Sequence, residues 1–179
     1  MNENTLEKLS SLLDEYNSIG KEISRITNRP ATIGHTGEFI AGIIFDIKLE
    51  ESASHKATDG FFQSGPLDGK SVNIKWYGKQ EALLDLLTSD QPDFYLVMTG
   101  PKTNQMSSKG AIRPWVIDHV YLFDAHRLIS ELKARGVKIG IATSVIKQQW
   151  RDAQIYPTQN NKIYRVTSEQ RNLLKSFGS

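Results

Sequence analysis

Apolar residues recur at helical spacing through the first 27 positions of the chain, which predicts an amphipathic helix from Thr5 to Thr27. The apolar positions are Leu6, Leu9, Leu12, Leu13, Tyr16, Ile19, Ile23 and Ile26. Proline disfavours helix in the residue before it, so Asn28-Arg29-Pro30 is expected to end this helix. We expect Gly20 to divide it into two pieces. The single apolar stripe predicts packing on the rest of the domain or on another chain.

A second apolar run at helical spacing predicts a helix over 36–45, with Glu38 in its first turn. The helix dipole favours an acid at that position. After this helix the pattern changes to strands, over 58–63 and 70–77, joined by a loop of turn residues at 64–69. Side chains alternate along the second strand, so its two faces differ. The apolar face carries Val72, Ile74 and Trp76, and the opposite face carries Ser71, Asn73, Lys75 and Tyr77.

The rest of the chain alternates between strand-like and helix-like segments. The predicted strands are 94–99, 115–123 and 137–142, and the predicted helices are 81–88, 124–133, 144–152 and one that begins at Ser168. This succession predicts an α/β fold in the order α-β-β-β-β-α-β, with a mixed sheet flanked by helices. We divide the chain into an N-terminal amphipathic helical segment (1–30), an α/β core (31–155) and a C-terminal basic extension (156–179).

Composition narrows the class of protein. The length of 179 residues and the apolar fraction of 39% fit one globular domain with a sizeable core. The absence of cysteine excludes disulfide scaffolds, thiol catalysis and cysteine-based zinc sites. No window resembles a signal peptide or approaches the run of about 20 apolar residues that a membrane span needs, so we expect a cytoplasmic protein.

Charge is distributed unevenly along the chain. Residues 101–179 carry 13 Lys and Arg against 5 Asp and Glu, whereas residues 1–100 carry an excess of acids. A basic half indicates a polyanionic partner such as nucleic acid, because neutralised phosphates release counterions. Mixing of both signs over one folded surface explains the asymmetry equally well.

Four side chains form the candidate centre for chemistry: Glu38, Asp59, Asn73 and Lys75. A hairpin centred on Pro66 places Asp59 opposite Asn73. A centre one residue later places Asp59 opposite Lys75, and an intermediate centre places it opposite Ile74 on the apolar face. Asn73 and Lys75 share a face because strand side chains alternate with period two.

These residue types suit a divalent metal ion beside a scissile phosphate. Oxygen atoms of Asp59 and Asn73 are ligands that a hard cation such as Mg²⁺ prefers. Lys75 is suited to orient or activate the attacking water and to offset charge on the phosphate. Glu38, from the helix behind the hairpin, is expected to reach in as a metal-binding or supporting acid.

Three short motifs carry these residues: Gly37-Glu38-Phe39-Ile40-Ala41, Thr58-Asp59-Gly60 and Val72-Asn73-Ile74-Lys75. Over about residues 36–125 they resemble the PD-(D/E)xK nuclease superfamily, the fold of many restriction endonucleases and Holliday-junction resolvases. The resemblance implies a restriction-endonuclease-like core in which Asp59, residue 73 and Glu38 bind Mg²⁺ or Mn²⁺. It also implies that Lys75 acts on the attacking water. It implies hydrolysis of phosphodiester bonds in DNA, with RNA left open, by a restriction- or defence-type endonuclease. By analogy, a homodimer would form through the helix at 5–27.

One position departs from that superfamily. Asn73 stands where a second acid is usual, so the motif becomes D-x13-N-x-K. The neutral amide removes a negative charge and is expected to weaken Mg²⁺ binding, although some members have an amide there. Outside the motif, the candidates for contact with nucleic acid are Lys79, Lys102, Lys109 and Arg113.

Each site residue also has a structural explanation. Glu38 fits a first-turn helix acid, Asp59 with Gly60 fits a turn or bulge, Lys75 fits a lysine reaching out from a sheet edge, and Asn73 fits a solvated side chain. Two other functions follow. Asn73 favours a catalytically inactive nuclease-like module that binds nucleic acid. The acidic first half favours a structural or protein-interaction domain.

Overall fold

The computed structural model describes residues 3–50, 58–102 and 113–179. The helices are α1 (Glu3–Thr27), α2 (Ile33–Ile44), α3 (Ala125–Ala134), α4 (Lys147–Ala153) and α5 (Ser168–Lys175). The strands are β1 (Ile47–Leu49), β2 (Gly60–Phe62), β3 (Ser71–Tyr77), β4 (Leu83–Leu84), β5 (Phe94–Thr99), β6 (His119–Asp124), β7 (Thr143–Ser144) and β8 (Gln154–Tyr156). A 3-10 turn at Gly65–Leu67 joins β2 to β3.

Six strands form one mixed sheet in the order β1-β2-β3-β5-β6-β8. β3 and β5 are parallel, and the other neighbouring pairs are antiparallel. β4 and β7 form a separate two-stranded sheet. Helix α2 packs on β3, while α3 and α4 pack on the β5–β6 part of the sheet. The prediction of an α/β fold with a mixed sheet flanked by helices is confirmed.

The sheet separates two hydrophobic clusters. One contains the predicted apolar face of β3, where Trp76 is only 6% exposed, together with residues of α2 such as Ala41. The other contains Tyr95 and Val97 of β5 and the buried side of α3. Because side chains alternate along β3, Asn73 and Lys75 lie on the face opposite the α2 cluster, the face of the cluster that contains Tyr95.

Helix α2 begins earlier than the pattern predicted, which changes the position of its acid. Thr32 is the N-cap, and its hydroxyl accepts a hydrogen bond from the backbone N–H of His35. Glu38 is the sixth helical residue, beyond the first turn. The expectation that Glu38 is a first-turn acid is wrong, and the helix dipole does not explain the residue.

Several other boundaries differ from the prediction. Helix α1 continues through Gly20 without a break, because no proline or strained residue interrupts its ladder there. The segment 81–88 contains β4 and no helix, and 137–142 contains no strand. The predicted order α-β-β-β-β-α-β also omits β1 and β8, which have three residues each. Helix α5 begins at Ser168 as predicted, and its N-cap is Thr167, which forms a complete capping box with Gln170.

Helix α1 ends at Thr27, as predicted from the Asn28-Arg29-Pro30 sequence. Helix α1 contacts α2, and Gly20 in its C-terminal part lies beside Ala31 in the segment before α2. Among the described residues, no helix combines the length and the apolar composition that crossing a bilayer requires.

Candidate active site

The β2–β3 hairpin has the first of the three registers considered. Gly60 pairs with Val72 and Phe61 with Ser71, so the hairpin is centred on Pro66. Asp59 lies just before β2, and its backbone N–H donates to the Val72 carbonyl over 2.9 Å. This register keeps Asp59 beside the stretch of β3 that carries Asn73 and Lys75.

Gly60 is required by a close approach of two strands. A Cβ at this position would lie 2.5 Å from the Lys48 carbonyl oxygen of β1. The glycine therefore allows β1 to pack tightly against β2, next to the candidate acid. This contact gives the Asp59-Gly60 pair a structural role in strand packing.

The Asp59 carboxylate bonds directly to the backbone of β3. Its Oδ2 accepts a hydrogen bond from the Ile74 N–H over 2.6 Å. Burial raises the pKa of Asp59, while the Ile74 N–H and the charges of Lys75 and Arg29 act in the opposite direction. Burial dominates, so the carboxylate is held in an environment that disfavours its own negative charge.

Glu38 of α2 is held by an arginine that the sequence did not single out. Arg29 Nη1 donates to Glu38 Oε2 over 2.7 Å, and its Nη2 donates to the Glu50 carbonyl over 2.9 Å. Burial raises the pKa of Glu38, as does the charge of Asp59, against the lowering effect of Arg29 and His35. Glu38 and Asp59 are thus close enough to repel each other.

Lys75 lies in a strand between two neighbours. β5 pairs with β3 along the whole length of β5, whereas β2 pairs only with the first two residues of β3. Lys75 therefore lies beyond the β2 ladder, and its explanation as a side chain at a sheet edge stays a prediction. Its Nζ lies 5.7 Å from the centroid of the Tyr95 ring. Burial lowers the pKa of Lys75, whereas the charges of Asp59 and Asp85 raise it. The balance moves this amine toward its neutral form.

Asn73 is buried, with only 7% of its surface exposed. It pairs with Tyr95 in the parallel ladder, one residue before the Ile74 N–H that binds Asp59. The explanation of Asn73 as a solvated side chain is therefore wrong. Asn73 shares a strand with Lys75, two residues away on the same face of the sheet.

Asp85 is a further acid of the site that sequence reasoning missed. It follows β4, its N–H donates to the Tyr77 hydroxyl over 3.1 Å, and its Oδ1 accepts from the Ala142 N–H over 2.8 Å. Its charge acts on Lys75. The segment 81–88 had been interpreted as a helix, which gave no reason to place Asp85 near β3.

Three of the four predicted nucleic-acid contacts lie around residues 78–81, where Arg113 packs against Gly78 and Lys102 pairs with Gln80. Arg113 Nη2 bonds both carboxylate oxygens of Glu81, at 3.2 and 3.3 Å. Lys79 is half-buried after β3, and Lys102 is exposed beside Gln80. Lys109 lies outside the described residues.

A groove beside Lys102 is lined by two further cations, Lys147 and Arg151. Tyr121 and Trp150, both buried, also line it. Tyr121 lies in the same cross-sheet row as Lys75, since Lys75 pairs with Val97 and Val97 with Tyr121. With strands about 4.8 Å apart, the groove begins about 10 Å from Lys75 on that face of the sheet.

The donor set suits a hard divalent cation. It offers two carboxylates that repel each other, Glu38 and Asp59, and one amide oxygen, that of Asn73. A cation would offset that repulsion. In the described part of the chain, no group of three or more His, Cys, Asp or Glu side chains could hold a metal, so the third oxygen donor would come from Asn73.

Comparison with known proteins adds no family. The chain matches no protein-family model, and a search of curated proteins finds no similar sequence.

Proposed function

We propose that the protein is a divalent-metal-dependent endonuclease of DNA, with a restriction-endonuclease-like core and a restriction or defence role. The observation that carries the proposal is the position of Asp59, just before β2, within electrostatic reach both of Glu38 from α2 and of Lys75 from β3. Asp59 supports the hairpin through the Ile74 N–H, but its repulsion of Glu38 and the partial burial of Lys75 both act against stability. Such an arrangement is characteristic of functional sites.

The acids supply the metal-binding part of the centre. Asp59 and Asn73 would hold Mg²⁺ or Mn²⁺ from the hairpin, and Glu38 would hold it from α2. A bound ion of this kind supplies Lewis acidity toward a phosphoryl oxygen. Arg29 positions Glu38, and the Ile74 N–H positions Asp59, so both carboxylates have fixed orientations.

Lys75 supplies the proton-transfer part. Its pKa is lowered by burial, so the neutral amine becomes available at a lower pH than for an exposed lysine. A neutral Lys75 can take a proton from the attacking water, and the resulting ammonium then stabilises the charge that develops on the phosphate.

The basic groove supports a nucleic acid as the substrate. Lys102, Lys147 and Arg151 place three positive charges along one groove on the Lys75 side of the sheet. A strand whose scissile phosphate lies at Lys75 would reach this groove within a few nucleotides, and a positively charged groove of this kind tracks the backbone of a single strand.

The test is cleavage of supercoiled plasmid in Mg²⁺ and in Mn²⁺ by wild type and by Lys75→Ala. We expect the variant to lose about 10²–10⁴-fold in rate, the range for removal of a general base. Lys133→Ala is the matched control, because it removes an exposed lysine from the far end of α3. Equal cleavage by all three proteins would refute the assignment of the centre.

A second function is favoured by Asn73. The neutral amide lowers the charge available for a metal, which suits an inactive nuclease-like module that binds nucleic acid through the groove. This function predicts that wild type binds DNA in a salt-dependent manner but cleaves it in neither metal. The double variant Lys102→Ala with Arg151→Ala should lose the binding. Cleavage by wild type that depends on Lys75 would exclude this function.

A further inference from the structure

Helix α1 presents a long apolar surface that its own domain leaves open. Every side chain from Asn4 to Ile19 is exposed. Seven large apolar residues of the helix are 51–68% exposed: Leu6, Leu9, Leu12, Leu13, Tyr16, Ile19 and Ile26. A contiguous apolar patch of this length is characteristic of an interaction surface.

The spacing of these residues is that of a coiled-coil seam. Alternating steps of three and four connect Leu6, Leu9, Leu13, Tyr16, Gly20 and Ile23. One flank of the seam is apolar, with Leu12, Ile19 and Ile26 seven residues apart. The other flank is polar and uncharged, with Ser10, Asn17 and Ser24 seven residues apart. The partner must therefore cover the seam and its apolar flank together.

We propose that this surface pairs antiparallel with α1 of a second copy of the chain. In an antiparallel pair of identical helices, each flank meets the same flank of the other copy. The apolar flank then packs on its own equivalent, and the Ser and Asn flank on its equivalent. A parallel pair would instead place the apolar flank against the polar one, which leaves apolar surface exposed.

The charges of α1 favour the same orientation. Residues 4–15 contain Glu7, Lys8, Asp14 and Glu15, with a net charge of −2. Residues 16–27 contain Lys21, Glu22 and Arg25, with a net charge of +1. The antiparallel pair places the acidic half of one helix beside the basic half of the other and aligns the helix dipoles favourably. The parallel pair would place two acidic halves together.

A groove beside the C-terminal half of α1 accommodates the N-terminal half of the second helix. It is lined by Tyr16, Ile19, Gly20, Ile23, Ala31 and Trp115. Trp115 is 39% exposed there. The antiparallel register that matches seam positions places Leu6 of the second copy against Ile23 and Leu9 of the second copy against Gly20. A Cβ at Gly20 would lie 3.8 Å from Ala31 of the same chain, so this leucine of the second copy would pack beside Ala31. By twofold symmetry both grooves are filled.

Sedimentation velocity over a wide concentration range tests the association. We expect a dimer for wild type and for Ser11→Glu, a control on the exposed polar side of α1, and a monomer for Leu9→Glu with Leu13→Glu. Because Leu9 and Leu13 are about half exposed, the double variant should retain the wild-type circular dichroism and unfolding midpoint. A monomeric wild type would overturn the proposal, as would a double variant that stays dimeric.

Cysteine crosslinking tests the orientation, since the chain has no cysteine of its own. Leu6→Cys with Ile23→Cys should form a covalent dimer on mild oxidation. Within one helix these positions are about 25 Å apart, too far for an internal disulfide. Leu6→Cys alone should stay uncrosslinked, because an antiparallel pair places the two Leu6 positions at opposite ends. Efficient crosslinking of this single variant would show a parallel pair and overturn the proposal. Neither readout depends on the proposed nuclease activity.

Discussion

The carboxylate of Asp59 accepts a hydrogen bond from the Ile74 N–H over 2.6 Å, so a candidate catalytic group also completes the backbone pairing of the central hairpin. Because Asp59 has both a structural and a proposed catalytic role, two substitutions at this position should have different effects. Asp59→Ala leaves a buried N–H without an acceptor and should lower the free energy of unfolding by about 1–3 kcal/mol. Asp59→Asn keeps an acceptor oxygen and should be at least as stable as wild type without metal, yet lose cleavage. Urea unfolding and plasmid cleavage measure both effects, and an active Asp59→Asn would contradict the role of the charge.

The raised pKa of Asp59 predicts a pH dependence of stability without metal. The folded protein holds this proton to a higher pH than the unfolded chain, whose value is near 3.8. The free energy of unfolding contributed by Asp59 therefore falls as pH rises from 3.8 through the folded pKa, and it stays low at neutral pH. Relative to Asp59→Asn, wild type should lose stability over that interval and regain it when Mg²⁺ is added. Parallel curves for the two proteins would contradict the raised pKa.

Asn73→Asp should restore the second acid of the site. With a carboxylate in place of the amide, the Mg²⁺ concentration for half-maximal cleavage should fall on the order of tenfold, because ligand charge sets affinity for a hard cation. Without metal, the added buried charge should reduce stability. Asn172→Asp, on the exposed side of α5, makes the same chemical change away from the site and should alter neither quantity. Titration of cleavage rate against Mg²⁺ concentration is the measurement.

Asp85→Asn should change the pH dependence of cleavage. The charge of Asp85 raises the pKa of Lys75, so its removal lowers that pKa further. If neutral Lys75 is the base, the rising limb of the rate profile should move to lower pH. Asp90→Asn is the control, since Asp90 is exposed on the following loop. A profile that moves equally in both variants would indicate a general charge effect instead.

Gly60→Ala tests the strand contact beside the site. Its Cβ would lie 2.5 Å from the Lys48 carbonyl, so β1 and β2 must separate, at a cost of about 1–3 kcal/mol in unfolding free energy. Gly34→Ala, in α2, meets nothing closer than 4.0 Å and should stabilise by up to about 1 kcal/mol. Equal unfolding midpoints for the two variants would show that β1 and β2 can separate without a loss of unfolding free energy.

The sequence predicted the centre of the fold where local signals were strong. The turn residues at 64–69 and the alternation of Val72, Ile74 and Trp76 specified the hairpin, and its observed register is one of the three considered. The helix predicted over 124–133 is α3, and Asp124 caps it with a carboxylate that accepts from the Arg127 N–H. In each case a local pattern and the tertiary fold agree.

The parts that escaped prediction depend on contacts distant in sequence. Leu83, Leu84 and Leu87 have the spacing of an amphipathic helix, which predicts a helix over 81–88. The segment instead contains β4, because it pairs with β7 about 60 residues later. Strands of three residues, such as β1 and β8, are too short to show a period. Arg29 was interpreted only as part of a helix stop, because nothing local shows that its guanidinium reaches Glu38 and the Glu50 carbonyl.

The bond between the Asp85 carboxylate and the Ala142 N–H joins positions 57 residues apart, and it has a consequence for synthesis on the ribosome. The chain emerges from its N-terminus, and contacts of large sequence separation form only after both partners are available. The surroundings of Lys75 are therefore complete only after Ala142 has been made. A nascent chain carries the four motif residues long before it carries the finished centre, and the proposed cleavage begins only after the segment with Ala142 has emerged and folded.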